Sequence, residues 1–400
     1  MEPKIIAIIV AAVVLIGGYL MIRRAPTAKW MIIVLMFIIL ASGAGMLYIQ
    51  NGASLFARHL PEQRIAYVND DGKQVDIWTM KLDGSDKQRV TNDPAIDRCP
   101  AWSSDGNDIT SVSDRLGGKF QVLLSSWDGQ TNRIMTTSEG TKDFPCFTHD
   151  GKDVMYLSSG YVYTIDRSIA GDETQILPPG SNVVRGALQG ASKMPPFIRI
   201  APSATGEYLL CVQDLDQTQM IYALETPGGQ IPKSQDDMKM LAQYAARQIE
   251  GAWSCAGNKL AASLTDNSGV NSLVTTDLDS MDTKTIFSSK GDTFTSGRVA
   301  WSPDSSRLVY EYWTVKGGLP DKCQGLYVAG VNGEKPVSIV SGDTQEPRWT
   351  ADGKYVVYTK SRQDGKRDIW RVNSDGSDAK NLTAGKGDNY DPACSPMPPK

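Results

Sequence analysis

A short phrase that returns at near-constant spacing constrains this chain more than any other feature. Residues 100–106 read PAWSSDG, 145–151 read PCFTHDG and 347–353 read PRWTADG. Weaker copies stand at 202–206, 253–257, 301–305 and 392–396. Aligned on Trp102, the equivalents are Phe147, Pro202, Trp253, Trp301, Trp349 and Cys394, in steps of 45 to 55 residues. A period of about 40–50 residues with one turn signal per unit predicts a β-propeller, one four-stranded sheet per repeat. The expected fold class is all-β.

The plan of a unit is clearest over 345–384. A short strand around Trp349 leads to the turn Asp352-Gly353, then to a strand Tyr355–Tyr358, a charged loop and a third strand Asp368–Val372. A second turn, Asp375-Gly376, precedes a short outer strand ending at Leu382-Thr383. Asp-Gly between alternating apolar runs is a hairpin signal, because glycine tolerates the positive φ of the tight turn. The earliest unit repeats the plan: DIWTMKLDGSDKQRVT (76–91) aligns with DIWRVNSDGSDAKNLT (368–383). Two such stretches nearly 300 residues apart indicate duplicated blades.

Second strands of the repeat begin near Ile65, Ile109, Val154, Tyr208, Leu260, Leu308 and Val356, which gives seven blades, with six or eight as alternatives. The first-strand phrase precedes all but the earliest, and the missing copy stands at the far end as DPACSP (391–396). The C-terminal segment is therefore expected to complete the N-terminal blade and leave no open sheet edge. The expected organisation is a transmembrane hairpin over 1–50, a linker over 51–63, a propeller over 64–396 closed by strand 391–396, and a tail over 397–400.

The phrase P-x-W-S-x-D-G followed by I-W-x-x-x-x-D-G-S-x-x-x-x-L/V-T resembles the TolB-like propeller family, over roughly residues 64–396. The resemblance implies the fold strongly and the function weakly. Relatives of this kind include periplasmic partners of envelope lipoproteins and the propeller halves of prolyl-oligopeptidase-type enzymes. The chain departs from the six-bladed TolB pattern by its seventh unit and shows no TolB-type N-terminal α/β domain, so the specific Tol–Pal role is not implied.

Ahead of the propeller, Ile5–Ile22 and Trp30–Ile49 contain no charged residue. Each has about the 20 residues that a helix needs to cross a hydrocarbon core. The connector 23–29, with Arg23, Arg24 and Lys29, is expected in the cytoplasm by the positive-inside bias. Both ends of the hairpin then face outward, which places the propeller in the periplasm or outside the cell. The whole chain carries a net charge of −4, and its first 50 residues contribute +3 (Lys4, Arg23, Arg24 and Lys29 against Glu2), leaving −7 on the rest. That balance offers no basic footprint for nucleic acid.

Catalytic signals are sparse. Only two histidines occur, His59 and His149, and no G-x-S-x-G elbow, P-loop, zinc motif or complete EF-hand is present. No catalytic residue, cofactor or metal ligand is assigned. The two DGSD turns (83–86 and 375–378) are read as turn chemistry rather than calcium loops. The six cysteines have no metal-ligand spacing and are read as small core residues, with a bridge such as Cys99 to Cys394 as an alternative.

Acidic residues recur just before the first strand: Asp97, Asp143, Glu250, Glu346 and Asp391. In a propeller this region lies near one mouth of the channel, so the five are candidates for a shared acidic rim that binds a cationic group. The alternative is that each is taken up locally, by its own loop or by Arg98, Arg298 or Arg348. Residues 234–250 show helical spacing at Met238, Leu241, Ala242, Ala245 and Ile249 and are expected as a short amphipathic helix. Trp313–Gly325 and Val183–Pro196 are expected as lengthened loops, where recognition gathers on rigid folds. The functional expectation is a membrane-anchored binding or assembly scaffold with a protein partner in an envelope or membrane complex, lipid around its two spanning helices, and no enzymatic activity. The alternatives are a hydrolase or protease accessory using channel-mouth carboxylates, and a ligand-sensing propeller.

Overall fold

The computed structural model describes residues 60–177, 197–215, 218–225, 239–246, 248–266, 268–290, 294–316, 319–332 and 334–398. The expected spanning helices and the loop Val183–Pro196 lie outside the described residues. Arg58–Lys400 forms one compact unit.

Among the described residues, 28 strands, β1 to β28 in chain order, make seven four-stranded antiparallel sheets. Six sheets use four consecutive strands each. The seventh has the order β28-β1-β2-β3, with β28 (Asp388–Cys394), β1 (Arg64–Asp70), β2 (Val75–Lys81) and β3 (Gln88–Arg89). Pairing of Ile65 with Cys394 and of Asp70 with Asp388 joins the two ends of the chain into blade 1. The seven-bladed reading and its closure by the C-terminal strand are both observed.

Each repeat begins on an inner strand: β4 (Asp97–Trp102), β8 (Lys142–Phe147), β12 (Phe197–Pro202), β16 (Gln248–Trp253), β20 (Phe294–Trp301), β24 (Thr344–Trp349) and β28. Every inner strand adjoins the next, and β28 adjoins β4, so the seven surround one axis. The core is correspondingly divided into seven apolar slabs, one per blade junction. Leu60, Val68, Ile77, Ile109 and Trp127 fill the junction of blades 1 and 2. Val309, Leu326, Val356, Tyr358 and Val372 fill that of blades 6 and 7. Each fully buried aliphatic side chain contributes about 1.5–3 kcal/mol.

The repeat phrase is explained by the bonds it makes. The hydroxyl that follows the Trp position, on Ser103, Thr148, Ser203, Ser254, Ser302 and Thr350, accepts the backbone N–H five residues on, at 2.9–3.1 Å. It thereby clasps the turn between first and second strands. Trp102, Trp253 and Trp301 donate their indole N–H to Ala393, Ala201 and Ala252 carbonyls of the preceding blade, at 3.0, 2.7 and 3.1 Å. The second phrase works similarly. Thr383 donates its hydroxyl to Asp368 and accepts the Ile369 N–H, each at 3.0 Å, and Thr91 makes the same two bonds with Asp76 and Ile77 at 3.4 and 3.0 Å. In the DGSD turns, Asp83 and Asp375 accept the N–H and hydroxyl of Ser85 and Ser377, which is turn chemistry.

Two expectations are corrected. No helix is present among the described residues. Lys239–Ala246 is β15, the outer strand of blade 4, paired with Thr218–Glu225 (β14), and the chain passes directly into β16 of blade 5. The helical spacing is overridden because the fourth sheet lacks an outer edge without this segment. Trp313–Gly325 is likewise not an irregular loop. Its described residues extend the hairpin of β21 (Arg307–Lys316) and β22 (Leu319–Gly330), with pairing out to Lys316 and Leu319.

Candidate functional site

The inner strands carry a shared irregularity that shapes the channel. Register shifts fall between Arg98 and Ala101, between Asp143 and Cys146, between Gln345 and Arg348, and opposite Ala66–Val68 on β28. These are bulges, which leave one residue unpaired and bend the strand. Three residues before the Trp position, Cys99, Phe144, Glu346 and Asp391 have φ of 58, 49, 59 and 57°. Each precedes a proline, which has no N–H to place in a ladder and so suits the unpaired position. Backbone in this region costs about 1–3 kcal/mol for a non-glycine residue. The neighbouring blades must hold it there.

Those residues touch one another across the blades. Arg298 of blade 6 pairs with Glu346 of blade 7 at 2.6 Å. The other oxygen of Glu346 accepts the Asp391 N–H of blade 1 at 2.8 Å. The Asp391 carboxyl is near enough to the Cys99 thiol of blade 2 to raise it, and that sulfur lies 3.8 Å from Asp143 of blade 3. The Arg199 guanidinium of blade 4 stands over the Phe144 ring, 5.8 Å from its centroid. A belt of polar and cation–π contacts thus links six of the seven blades.

The five predicted acids stand at three different distances from the Trp position of their strands. Asp97 stands five residues before its Trp position, Asp143 four, and Glu250, Glu346 and Asp391 three. Asp97 is fully buried within blade 2, where Arg115 reaches both of its oxygens at 3.3 Å; burial pushes its carboxyl up. Arg115 also pairs with Asp93 at 2.7 Å. Asp143 is half-buried and accepts the Phe144 N–H at 3.0 Å. Glu250 lies on β16, and its side chain is outside the described residues. Glu346 and Asp391 are brought together. Burial, then the nearby Glu346 charge, raises the Asp391 carboxyl, against the pull of Arg348 and Arg298.

Sequence reasoning passed over Glu311. This buried carboxylate on β21 accepts the Glu346 N–H at 2.8 Å, the Trp313 indole N–H at 3.0 Å and the Arg298 N–H at 3.2 Å. Desolvation still raises it. A signal was present: Glu311 is the one charged residue in the apolar run Leu308–Trp313, and Gly297 opposite it has no side chain. A Cβ on Gly297 would sit 2.3 Å from a Glu311 oxygen. All six cysteines are free thiols, so the alternative bridge is not formed. Cys99 faces Asp143 and Asp391 instead, while Cys394 pairs opposite Ile65. Burial pushes the Cys146 and Cys394 thiols up to about 12, which suits small core residues. His149 is exposed, and His59 lies outside the described residues.

Comparisons with known proteins agree with this architecture. Residues 48–189 match the TolB beta propeller domain family. A Tol-Pal system protein TolB from Nitratidesulfovibrio vulgaris is 34% identical over 101 residues, covering 24% of this chain and 22% of the relative. Another, from Desulfosudis oleivorans, is 27% identical over 125 residues, covering 31% of this chain and 26% of the relative. The chain therefore spans about a quarter of the length of these curated relatives. The crystal structure of TolB from Acinetobacter baumannii superposes with a TM-score of 0.52 at 16% identity, covering 84% of this chain and 67% of that one. At that identity the likeness shows the fold alone. Repeat phrases and the match over residues 48–189 make this part of the chain similar to the TolB-like β-propellers, and the blade architecture shows a propeller fold.

Proposed function

We propose that the chain is a protein-binding or assembly scaffold, held at a membrane by the spanning segments within residues 1–50, with its propeller outside the cytoplasm as part of an envelope or membrane complex. The observation that carries this reading is the belt. Its described carboxylates already meet an arginine, a backbone amide or a thiol from a neighbouring blade, which suits a rigid support more than a reacting centre. Relatives named as Tol-Pal system proteins support a role in an envelope assembly. Lipid contact belongs to the two uncharged stretches, and the connector 23–29 is assigned to the cytoplasm on its basic residues. Asp143 and Asp391, both half-buried, are the acids proposed to meet a cationic group of a partner at the channel.

Chemical cross-linking in native membranes, followed by purification of the full chain, tests the scaffold. A defined partner should be recovered in constant ratio; recovery of this chain alone after cross-linking would remove the reading. Asp143→Asn should weaken that recovery if the channel acids meet the partner. An enzymatic reading draws on one observation, the approach of Glu346 and Asp391 across blades 7 and 1. It requires a substrate whose turnover is lost in Glu346→Gln while the fold is kept.

A further inference from the structure

We propose that the channel mouth over blades 2 to 4 binds an extended acidic segment of a partner protein. One carboxylate of that segment sits on Arg98, and the apolar residue beside it lies against Phe144 and Leu116. The segment is thereby given a chemistry within the protein-binding role proposed above, on which this inference rests.

The observation that carries it is an arginine that no acceptor meets. Arg98 stands four residues before the Trp position, where the inner strand β4 of blade 2 begins. Its guanidinium lies over the Phe120 ring, 4.0 Å from the centroid. Stacking of this kind uses the face of the guanidinium and leaves its N–H edge to bond elsewhere. Among the described residues no acceptor meets that edge, and Nε is buried without a bond. The nearby acids are already engaged. Asp97 is held by Arg115, which also pairs with Asp93 at 2.7 Å. Asp143 accepts the Phe144 N–H and lies 3.8 Å from the Cys99 sulfur. A free guanidinium edge matches a carboxylate, with two parallel N–H bonds.

An apolar strip borders this charge. The Phe120 carbonyl accepts the Lys142 N–H at 2.8 Å, which ties the start of β8, and with it Phe144, to the Arg98 stack. Phe144 is 36% exposed on a left-handed backbone with φ of 49°, and Arg199 of blade 4 stands over its ring. Leu116, 58% exposed, lies in the turn just before Phe120. Asp114 opens that turn and accepts the N–H of Ile96 at 2.7 Å; Ile96 is 42% exposed. Single exposed apolar side chains are ordinary, but three beside one unpaired cation form a patch of the kind that marks an interaction site. Small-molecule sites are concave and enclosing, so this open strip suits an extended chain better.

The test is selection from a random seven-residue peptide library with both ends blocked, using the purified full chain. Wild type should enrich Asp or Glu next to Leu, Ile or Phe. By fluorescence polarisation, the selected peptide should bind about ten- to a hundredfold more tightly than its twin with Gln or Asn in place of the acid. Arg98→Gln should erase that preference, and Arg98→Lys should keep part of it. Leu116→Ser should weaken peptide and twin alike. Lys152→Gln, which removes an exposed charge from the turn at the other end of β8, should change neither. Absence of acid enrichment in wild type overturns the proposal, as does an unchanged preference in Arg98→Gln. If Arg98→Gln does not fold, an unchanged affinity in Leu116→Ser overturns it equally. Arg98-dependent binding of phosphatidylglycerol vesicles, or Arg98-dependent self-association, with no peptide selected, would assign the patch to lipid or to a second copy and also overturn it. Partner recovery from cross-linked membranes judges the scaffold separately: recovery intact with no peptide selected discards this site and keeps the scaffold, whereas no recovered partner removes the scaffold whatever the peptides show.

Discussion

Ser395 accepts the Arg64 N–H on its hydroxyl at 2.9 Å and returns its own N–H to the Arg64 carbonyl, also at 2.9 Å. In the other six blades the corresponding hydroxyl bonds a residue five positions along the same turn; in blade 1 it spans 331 residues. The last blade to close uses the same clasp as the others, made between the two ends of the propeller.

Loss of that clasp should be felt globally. Ser395→Ala leaves the buried Arg64 amide without its acceptor, and an orphaned buried group costs about 1–3 kcal/mol. Removing residues 388–400 should do far more, because it bares the whole edge of β1 to other chains. Denaturant titration should show the first as a shifted midpoint. Light scattering should show the second as aggregation; a monomeric, cooperatively folding truncation would contradict the closure.

The tryptophan ladder gives a matched pair of tests. Trp102→Phe removes the bond to the Ala393 carbonyl across blades 1 and 2, for an expected loss of about 1 kcal/mol beyond the change in packing. Trp349 is buried with no partner for its indole N–H, and Arg307 stands 4.9 Å from the centroid of its ring. Trp349→Phe should therefore cost less than Trp102→Phe, or even stabilise. Equal losses by chemical denaturation would show that the indole bonds add nothing.

Glu311 should be the most sensitive acid near the channel. Glu311→Ala leaves the Glu346 amide and the Trp313 indole N–H without an acceptor, for a loss of about 2 kcal/mol or more. Gly297→Ala should act on the same place from the other side, because its methyl group meets the Glu311 carboxylate. The two losses should combine non-additively in the double variant, since they disturb one contact.

Glu173 should give the protein a pH-dependent stability contribution. Burial raises its carboxyl, but bonds from the Tyr156 hydroxyl (2.6 Å) and Ser138, with the Lys142 charge, outweigh this and leave it below 4.5. Its contribution is present above 4.5 and lost as pH falls through the lowered folded value. Tyr156→Phe should destabilise at neutral pH by roughly 1.5–3 kcal/mol, the range for hydrogen bonds to charged groups. That difference should shrink in acid. A difference independent of pH would assign the loss to packing alone.

Legibility varied with the range of the interactions involved. The Trp position, the hydroxyl after it and the Asp-Gly turns act within one blade or between neighbours in a repeated geometry, so period and spacing revealed the blades and their closure. The helix expected over 234–250 failed because spacing cannot show that a sheet four strands wide lacks its outer edge. The partners of the acids near the inner strands were only partly legible. Asp97 and Glu346 look alike as residues preceding a strand, yet one stands five residues before its tryptophan and is paired within blade 2, while the other stands three before and spans blades.

The sequence alone determined a ring of seven sheets, the turns that separate their strands and the use of the tail as the first blade's inner strand. These follow from local hydrogen-bonding chemistry repeated at one period. Only the tertiary structure decided which acids meet. A bulge before each inner-strand proline turns the chain locally, and Asp391, Glu346 and Cys99 become neighbours because three blades, distant in sequence, present those bulges to a single axis.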